Sequence, residues 1–260
     1  GMLSRSGSPR ALDAAADGFV RGEGGGVLLL KPLNRVTANE RVYGVIRGIA
    51  VNHSGRGDWL MASNPKAQQR VIREAWTHAG VQPADLDYVE LHATGHTKSD
   101  AIEVNALGEL LADASRRHPC LIGSVKPNIC HLGPASGIAS IIKVALSLHH
   151  QRIPPTVGPE TLNPAIDLRE GQLAVPNRAT TWPDREGPPV AGVTALSLGG
   201  VNAHAVLARS SQSPLAAVNG RAFVLPLSAR SDPALAALAR AYAEFLAHED
   251  TGSLSDICST

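Results

Sequence analysis

Residues 85–114 read DLDYVELHATGHTKSDAIEVNALGELLADA, and this stretch decides the fold. Its first part predicts a strand that ends at His92, because apolar residues cluster there over a short length. Its second part, from Asp100, has the spacing of an amphipathic helix. The apolar residues on one side of that helix are Ile102, Ala106, Leu110 and Leu111. A strand, a loop and a helix in succession form the repeating unit of layered α/β domains.

The same alternation continues along the rest of the chain. Further strands are predicted at residues 27–33, 41–53, 120–125, 189–198 and 203–208. Further helices are predicted over residues 64–80, after Pro134, and from Asp232 onward. The run VLLLKPL at 27–33 is expected to be a buried strand, and the helix after Pro134 is expected to bury Ile138, Ile141, Ile142 and Ala145. The sequence therefore predicts an α/β fold with a parallel or mixed sheet.

Composition excludes several classes of partner. The 260 residues are 43% hydrophobic with a net charge of +1, which argues against nucleic acid or an acidic membrane surface as the main partner. Aromatic residues make up only 3%, so stacking platforms for single strands are scarce. No signal peptide or membrane span is visible. The three cysteines form no CxxC pair, which fits a reducing cytoplasm.

Three segments place polar groups beside glycine at predicted strand ends. They are residues 92–103 (HATGHTKSDAIE), 126–131 (KPNICH) and 192–204 (GVTALSLGGVNAH). Open α/β sheets bind ligands at such ends, so His92 and His131 could share one pocket. From the residues alone, a shared site and two unrelated histidines remain equally open.

The three segments resemble, in the same order, the C-terminal half of a β-ketoacyl synthase of the modular polyketide synthase type. Residues 92–103 resemble the family's HGTGT…GDPIE, GSVKPNICH at 123–131 resembles GSVKSNIGH, and TALSLGGVNAH at 194–204 resembles SSFGFGGTNAH. Residues 12–33 and 45–55 resemble further family motifs, FDAAADGYVRGEG and VIRGSAVNQDG. Residues 224–258 resemble the start of the linker between a ketosynthase and an acyltransferase.

The resemblance implies a thiolase-like fold and a decarboxylative Claisen condensation, in which an acyl chain is joined to a malonyl-type extender on an acyl carrier protein. His92 and His131 match the two family histidines, Lys126 the family lysine, and Glu103 a carboxylate that supports the site. Lys126 is expected to hold His131 in place and to bias its protonation. The implied positions for binding substrate and pantetheine are Thr94, His96, Leu196, Leu198, Gly199 and Gly200. The resemblance implies no metal and no directly bound cofactor, only phosphopantetheine-linked substrates.

The chain departs from the family pattern in its nucleophile. The family carries its cysteine in a DTACSSS segment that is not among these residues, and neither Cys120, Cys130 nor Cys258 matches it. An activated cysteine needs an environment that favours the thiolate, and none is visible. We therefore expect the isolated chain to be inactive.

Smaller departures concern the pantetheine positions and the turns. The second threonine of HGTGT is His96, and the two phenylalanines of FGFGG are Leu196 and Leu198. Side chains also replace glycine at Ala93, Cys130 and Ser197, where positive φ would make them strained. These changes bear on pantetheine binding and gating more than on the fold.

Two alternatives remain in the sequence. A metal centre built from His92, His96, His118, Cys120 and the pair Cys130–His131 is disfavoured, because HExxH needs a helix and a glutamate that are not here. The second alternative is a non-catalytic half-domain with a structural or carrier-binding role. Whether the enzyme or the half-domain interpretation holds, the chain alone is expected to expose a sheet edge and an apolar face that a complementary half covers, and so to aggregate or bind that half.

The resemblance also divides the chain and suggests its partners. Residues 1–38 match the end of the N-terminal half of a ketosynthase, 39–209 its C-terminal half, and 210–260 the start of the linker. The implied partners are an acyl carrier protein, the missing N-terminal half, a downstream acyltransferase domain and a second copy in a homodimer. The expected location is the cytoplasm, with no nucleic acid or membrane partner.

Overall fold

The computed structural model describes residues 2–37, 40–55, 63–112, 114–169, 171–210, 224–247 and 257–258. The described strands are β1 (Val45–His53), β2 (Tyr88–Glu90), β3 (Cys120–Gly123), β4 (Arg152–Ile153), β5 (Leu173–Ala174), β6 (Thr180–Thr181), β7 (Val190–Leu196) and β8 (Val201–Ala208). The described helices are α1 (Pro65–Ala79), α2 (Thr97–Leu111), α3 (Lys126–Ile129), α4 (Ser136–His149) and α5 (Asp232–Leu246). The alternation of strands and helices confirms the predicted α/β class.

Six of the strands form one mixed sheet in the order β1-β8-β7-β2-β3-β5. The strands β7, β2, β3 and β5 run parallel, whereas β8 is antiparallel to both β7 and β1. Strands β4 and β6 form a separate two-stranded ribbon. The central β2 therefore has parallel neighbours on both sides, and residues that follow β2 and β3 emerge at the same edge.

Helices cover both faces of this sheet. On one face α1 and α2 bury apolar side chains such as Val71, Trp76 and Leu107 against the strands. On the other face α4 packs Val144 and Leu148 against β7 and β8. The sheet is thus the middle of three layers, which is the usual way to bury both of its faces.

The helix predicted over residues 64–80 is α1, and local residues cap both of its ends. The side chain of Asn64 accepts a hydrogen bond from the Ala67 N–H at the start of the helix. Gly80 ends it in the left-handed conformation, with φ 65°, which glycine adopts without the strain of a Cβ atom.

Residues 27–33 are not the buried strand that their apolar run predicts. They form no strand, and the exposed fractions of Val27 and Leu29 are 92% and 97%. No described strand pairs with this segment, and an apolar run becomes a strand only where its backbone groups find partners. The preceding residues 22–26, four of which are glycine, form no turn either.

The buried side of α4 also differs from its predicted stripe. Its buried residues are Ser136, Ser140, Val144, Ser147 and Leu148. Ala145 and the isoleucines at 138, 141 and 142 are only half-buried, whereas three small serines lie on the buried side. A Cβ atom on Gly26 would lie within 3.1 Å of Ile138 and Ile142, so these two side chains point toward the N-terminal segment. In α2, Ile102 and Leu110 are likewise half-buried, whereas Ala106 and Leu111 are buried.

The chain forms two compact units, Gly1–Thr37 with Val42–Gln212, and Ala38–Arg41 with Ser213–Thr260. Helix α5 belongs to the second unit and is capped at its start by Ser231, whose side chain accepts a hydrogen bond from the Ala234 N–H. None of its side chains is buried, and Leu238, Tyr242 and Leu246 are half-buried. Among the described residues no helix is long and apolar enough to cross a membrane.

Candidate active site

Three neighbouring strands deliver the predicted site segments to one edge of the sheet. Glu90, the last residue of β2, lies opposite Gly123 of β3 and Val193 of β7 in the parallel register. His92 follows β2 and Lys126 follows β3, so both come out beyond the carboxyl ends of adjacent strands. This edge is where open α/β sheets bind ligands.

The structure brings His92 and His131 together. Their ring centroids are 5.5 Å apart and the ring planes meet at 83°, an edge-to-face contact. The ring of Phe19 contacts His131 as well, at 5.1 Å between centroids. Two imidazoles from separate strand ends therefore share one site.

Hydrogen bonds fix the protonation pattern of the His131 ring. Its Nδ1 atom accepts from the Gly133 N–H at 3.1 Å and lies 2.8 Å from the Ser136 hydroxyl oxygen. Because Nδ1 acts as the acceptor, the proton of the neutral ring is on Nε2. Burial, with the charge of Lys126 as a second cause, lowers the pKa of His131 to about 4. At pH 7 the ring is therefore neutral and has an N–H to donate from Nε2.

His92 is neutral at pH 7 for similar reasons. Burial lowers its pKa well below the ordinary value, and the charges of Lys126 and His131 act in the same direction. Its backbone N–H donates to the Glu103 Oε1 at 2.7 Å. The position of His92 is thus held through its main chain.

Glu103 supports the loop that carries His92. Its second oxygen, Oε2, accepts from the Ala93 N–H at 2.9 Å, so the buried carboxylate binds two successive amides. Burial raises the pKa of Glu103 to about 7, against the lowering effect of these two hydrogen bonds. The residue acts on the site through the backbone of the histidine loop.

Asp100 binds the next two amides of the same loop, and the sequence analysis did not select it. Its Oδ1 accepts from the Thr94 N–H at 3.0 Å, and its Oδ2 accepts from the N–H groups of Gly95 at 3.1 Å and Leu12 at 3.0 Å. Asp100 is only 1% exposed, and burial raises its pKa. The available signal was its position three residues before Glu103, which puts both carboxylates on one side of α2.

Lys126 lies buried beside the histidines at 3% exposure. Within the described part of the chain its ammonium group has no hydrogen-bond acceptor. The expectation that Lys126 holds His131 in place is therefore wrong, since Ser136 and Gly133 do so. After burial, its charge is a further cause that lowers the pKa of both histidines. Burial lowers the pKa of Lys126 itself, and Glu90, Glu103 and Asp100 oppose that shift.

The predicted pantetheine positions near His92 have local partners. His96 begins α2, and its Nδ1 accepts from the Ser99 N–H at 3.4 Å and lies 3.3 Å from the Ser99 hydroxyl oxygen. Thr94 is fixed through its backbone by Asp100. The side chain of His96, which stands where the family has threonine, therefore caps the start of α2.

The other predicted positions lie at the hairpin between β7 and β8. Leu196 ends β7, and Leu198 in the turn is 57% exposed. His53, the last residue of β1, lies with its Nε2 2.8 Å from the Gly199 carbonyl oxygen. Gly200 has φ 87°, and a Cβ atom there would come within 2.9 Å of the His53 ring. The turn is therefore fastened to the end of β1 and requires glycine at position 200.

Of the three side chains that replace family glycines, only Cys130 is in a strained conformation. It has φ 63° and ψ −171°, a region that is populated almost only by glycine and costs about 1–3 kcal/mol for other residues. Ala93 and Ser197 have no positive φ, so the expectation of strain is wrong for them.

Replacing Cys130 with glycine is expected to raise the free energy of unfolding by about 1–2 kcal/mol, because relief of strain exceeds the added chain entropy of glycine. Urea unfolding measures the change. The matched control is Cys130→Ala, which keeps the Cβ atom and should not stabilise the chain. A glycine variant no more stable than the alanine variant would contradict the strained geometry.

None of the three cysteines has the features of an activated nucleophile. Cys120 is buried, and burial raises the pKa of its thiol to about 12. Cys130 is half-buried in the α3 loop, and Cys258 lies in the second unit.

Among the described residues no group of three or more His, Cys, Asp or Glu side chains is placed to hold a metal ion. A polar cavity of about 380 Å³, lined by residues such as Asp85, Arg116 and Arg185, lies at the opposite end of β2.

Three family models together match nearly the whole chain. They are the N-terminal domain of beta-ketoacyl synthase at residues 1–35, its C-terminal domain at 43–160, and the ketoacyl-synthetase C-terminal extension at 163–260. The chain belongs to the β-ketoacyl synthase family. The resemblance that the motifs indicated is thereby confirmed.

Relatives and solved structures agree with this assignment. The chain is 43% identical over 276 residues to polyketide synthase ThaG of Burkholderia thailandensis, covering 99% of this chain and 5% of that protein. It is 39% identical over 266 residues to 5-methyl-1-naphthoate synthase of Streptomyces sahachiroi, covering 99% of this chain and 15% of that protein. The ketosynthase from module 6 of the bacillaene synthase of Bacillus subtilis matches with a TM-score of 0.84 and 32% identity, over 99% of this chain and 45% of that one.

An oxazolomycin ketosynthase domain from Streptomyces albus matches with a TM-score of 0.85 and 35% identity, over 99% of this chain and 46% of that one. The fold is thus thiolase-like, as expected. The chain spans less than half of these ketosynthases and a small fraction of the curated relatives.

Proposed function

We propose that this chain supplies the two-histidine part of a condensing site, in a polyketide β-ketoacyl synthase that acts as an acyltransferase. The observation that carries the proposal is the contact between His92 and His131, two neutral imidazoles beside the buried ammonium of Lys126. The reaction is the decarboxylative Claisen condensation of an acyl chain with a malonyl-type extender.

The chemistry of that reaction suits neutral imidazoles. The bond between the extender's α-carbon and its carboxylate breaks, CO₂ leaves, and the electron pair forms an enolate on the thioester. The enolate oxygen accepts a hydrogen bond from the Nε2–H of His131 and one from an N–H of His92. The enolate carbon then attacks the carbonyl carbon of the acyl thioester, and the bond to the cysteine sulfur breaks. Donors placed in advance at such an oxygen are a large source of rate enhancement.

The surrounding residues hold this arrangement. Glu103 and Asp100 fix the loop amides from residue 92 to 95, and so fix where the His92 ring lies. Burial and the ammonium of Lys126 keep both imidazoles neutral at pH 7, which preserves them as donors. Thr94, His96 and the hairpin residues Leu196 to Gly200 are the positions where we expect the pantetheine arm to pass.

The nucleophilic cysteine of the proposed site comes from a segment outside these 260 residues, on the N-terminal half of a ketosynthase. We propose that this half covers the exposed run at residues 27–33, where Val27 and Leu29 are almost fully exposed. The remaining proposed partners are an acyl carrier protein bearing phosphopantetheine-linked substrates, a following acyltransferase domain and a second copy in a homodimer. The division into residues 1–38, 39–209 and 210–260 and the cytoplasmic location stay predictions.

An assembled domain tests the proposal. It consists of these 260 residues joined behind the part of a related synthase's N-terminal ketosynthase domain that precedes the stretch matched by residues 1–35, and it is called the assembled domain from here on. Release of CO₂ from malonyl- or methylmalonyl-carrier protein, and transfer of an acyl chain to the product, are the measured quantities. We expect both. A folded assembled domain that binds carrier protein but decarboxylates neither extender would favour the non-catalytic half-domain instead.

A further inference from the structure

A buried charged cluster lies directly beneath the loop that carries Lys126. Glu90 is fully buried, and its Oε2 accepts from the Lys143 Nζ at 2.6 Å and from the Tyr88 hydroxyl at 2.6 Å. The Lys143 Nζ also donates to the Tyr88 hydroxyl oxygen at 2.8 Å. The cluster joins β2 to α4, since Lys143 lies on that helix.

The second oxygen of Glu90 fastens the loop itself. Its Oε1 accepts from the Val125 N–H at 2.6 Å, one residue before Lys126. The adjacent Ser124 hydroxyl donates to the Ala93 carbonyl oxygen at 3.0 Å and accepts from the Lys126 N–H at 3.3 Å. The loops of His92 and Lys126 are therefore tied together at the point that Glu90 holds.

The charges around Lys126 come from every element packed against it. The carboxyl groups of Glu90 on β2 and of Glu103 and Asp100 on α2 raise the pKa of Lys126, and Lys143 on α4 lowers it. His92 and His131, whose rings are in contact, are further titratable groups at this site. Lys126 has no hydrogen-bonded counter-ion in the described part of the chain, and Glu90 already has one in Lys143. The negative charge of Glu90 therefore acts on both lysines, Lys143 through an ion pair and Lys126 without a hydrogen bond.

We propose that Glu90 is a positioning residue for Lys126, and that Lys143 sets how much of the negative charge of Glu90 reaches Lys126. Glu90 fixes the loop by its bond to Val125 and acts on the ammonium by its charge. Lys143 neutralises part of that charge, which leaves Lys126 available to act on the two imidazoles. The consequence for condensation rests on the proposed function, whereas the coupling of the two lysines does not.

A purely structural ion pair between α4 and the sheet is the alternative, and the two readings predict different titrations. The experiment is NMR of the assembled domain with labelled lysines, in which the signal of Lys126 is assigned by comparison with Lys126→Met and its pKa is measured. Glu90→Gln keeps an acceptor for Val125 but removes the charge, so the pKa of Lys126 should fall. Lys143→Met removes the competing cation, so the pKa of Lys126 should rise. Each change should alter the protonation constant by about tenfold.

The matched control is Asp85→Asn, which removes a carboxylate from the ion pair with Arg185 near the other end of β2 and should leave Lys126 unchanged. Shifts in the same direction in both variants, or none, would overturn the proposal. If Lys143→Met does not fold, Lys143→Gln replaces it, and failure of every neutral variant to fold would show a structural pair and also overturn it. Since no catalysis is measured, an inactive assembled domain would refute the proposed function and leave this result standing.

Discussion

In the assembled domain, His131→Ala is expected to lower the rate of malonyl decarboxylation by about 10²–10³-fold, the usual effect of removing one preorganised donor from an oxyanion. The Nδ1 of His131 is occupied by Gly133 and Ser136, so its Nε2–H is the group that the variant removes. His92→Ala should cost a similar factor. The double variant should lose less than the product of both, because residues that act as a unit are not additive.

Two further variants separate donation from loss of structure. His131→Gln keeps a neutral N–H donor at this position and should retain more activity than His131→Ala. His118→Gln, at an exposed histidine away from the site, should leave the rate unchanged. If His131→Gln lowers the rate of decarboxylation as much as His131→Ala does, the imidazole ring does more than donate a hydrogen bond. If alanine at 131 leaves the rate unaltered in a folded domain, the proposed mechanism is wrong.

Asp100→Ala is expected to destabilise the histidine loop by about 3–5 kcal/mol. The carboxylate accepts the N–H groups of Leu12, Thr94 and Gly95, and each buried donor left without an acceptor costs about 1–3 kcal/mol. The expected loss of stability is smaller than the sum of the costs of three unpaired N–H groups. The reason is that burial already disfavours the ionised form of Asp100 and raises its pKa. Hydrogen exchange of those three amides should accelerate by about 10²-fold or more, since a factor of ten corresponds to about 1.4 kcal/mol.

The control for this prediction is Lys98→Ala, at an exposed position on the same helix. It should change neither the exchange of the loop amides nor the unfolding midpoint. Asp100→Asn keeps one acceptor oxygen and turns an NH₂ group toward backbone donors, so it should fall between the wild type and the alanine variant. Unchanged protection of the amides in Asp100→Ala would show that this carboxylate does not hold the loop.

Much of the fold and part of the site follow from local patterns. Asn64 and Gly80 mark the ends of α1 in the sequence, and the motif resemblance points to His92 and His131 before any coordinates. These features depend on residues close in sequence or on short motifs. Local information is sufficient for them.

Other features depend on contacts between distant segments and could not be predicted. Asp100 binds Leu12 from 88 positions away, and Lys143 meets Glu90 from 53 positions away. A periodic pattern reports which side of a helix is apolar, but the buried residues of α4 include three serines, whereas its isoleucines are half-buried. The exposure of residues 27–33 depends on whether another segment pairs with them, which an apolar run does not reveal.

The central claim is that two neutral imidazoles face each other, with the Nε2–H of His131 free to donate. The most direct measurement is a pH titration of the assembled domain with ¹⁵N-labelled histidines, followed by NMR, in which the signal of His131 is assigned by its loss in His131→Gln. We predict that His131 is neutral at pH 7 with its proton on Nε2, is protonated with a pKa of about 4, and shows ring-to-ring contacts with His92. A pKa near the ordinary 6.5, a proton on Nδ1, or the absence of those contacts would contradict the account.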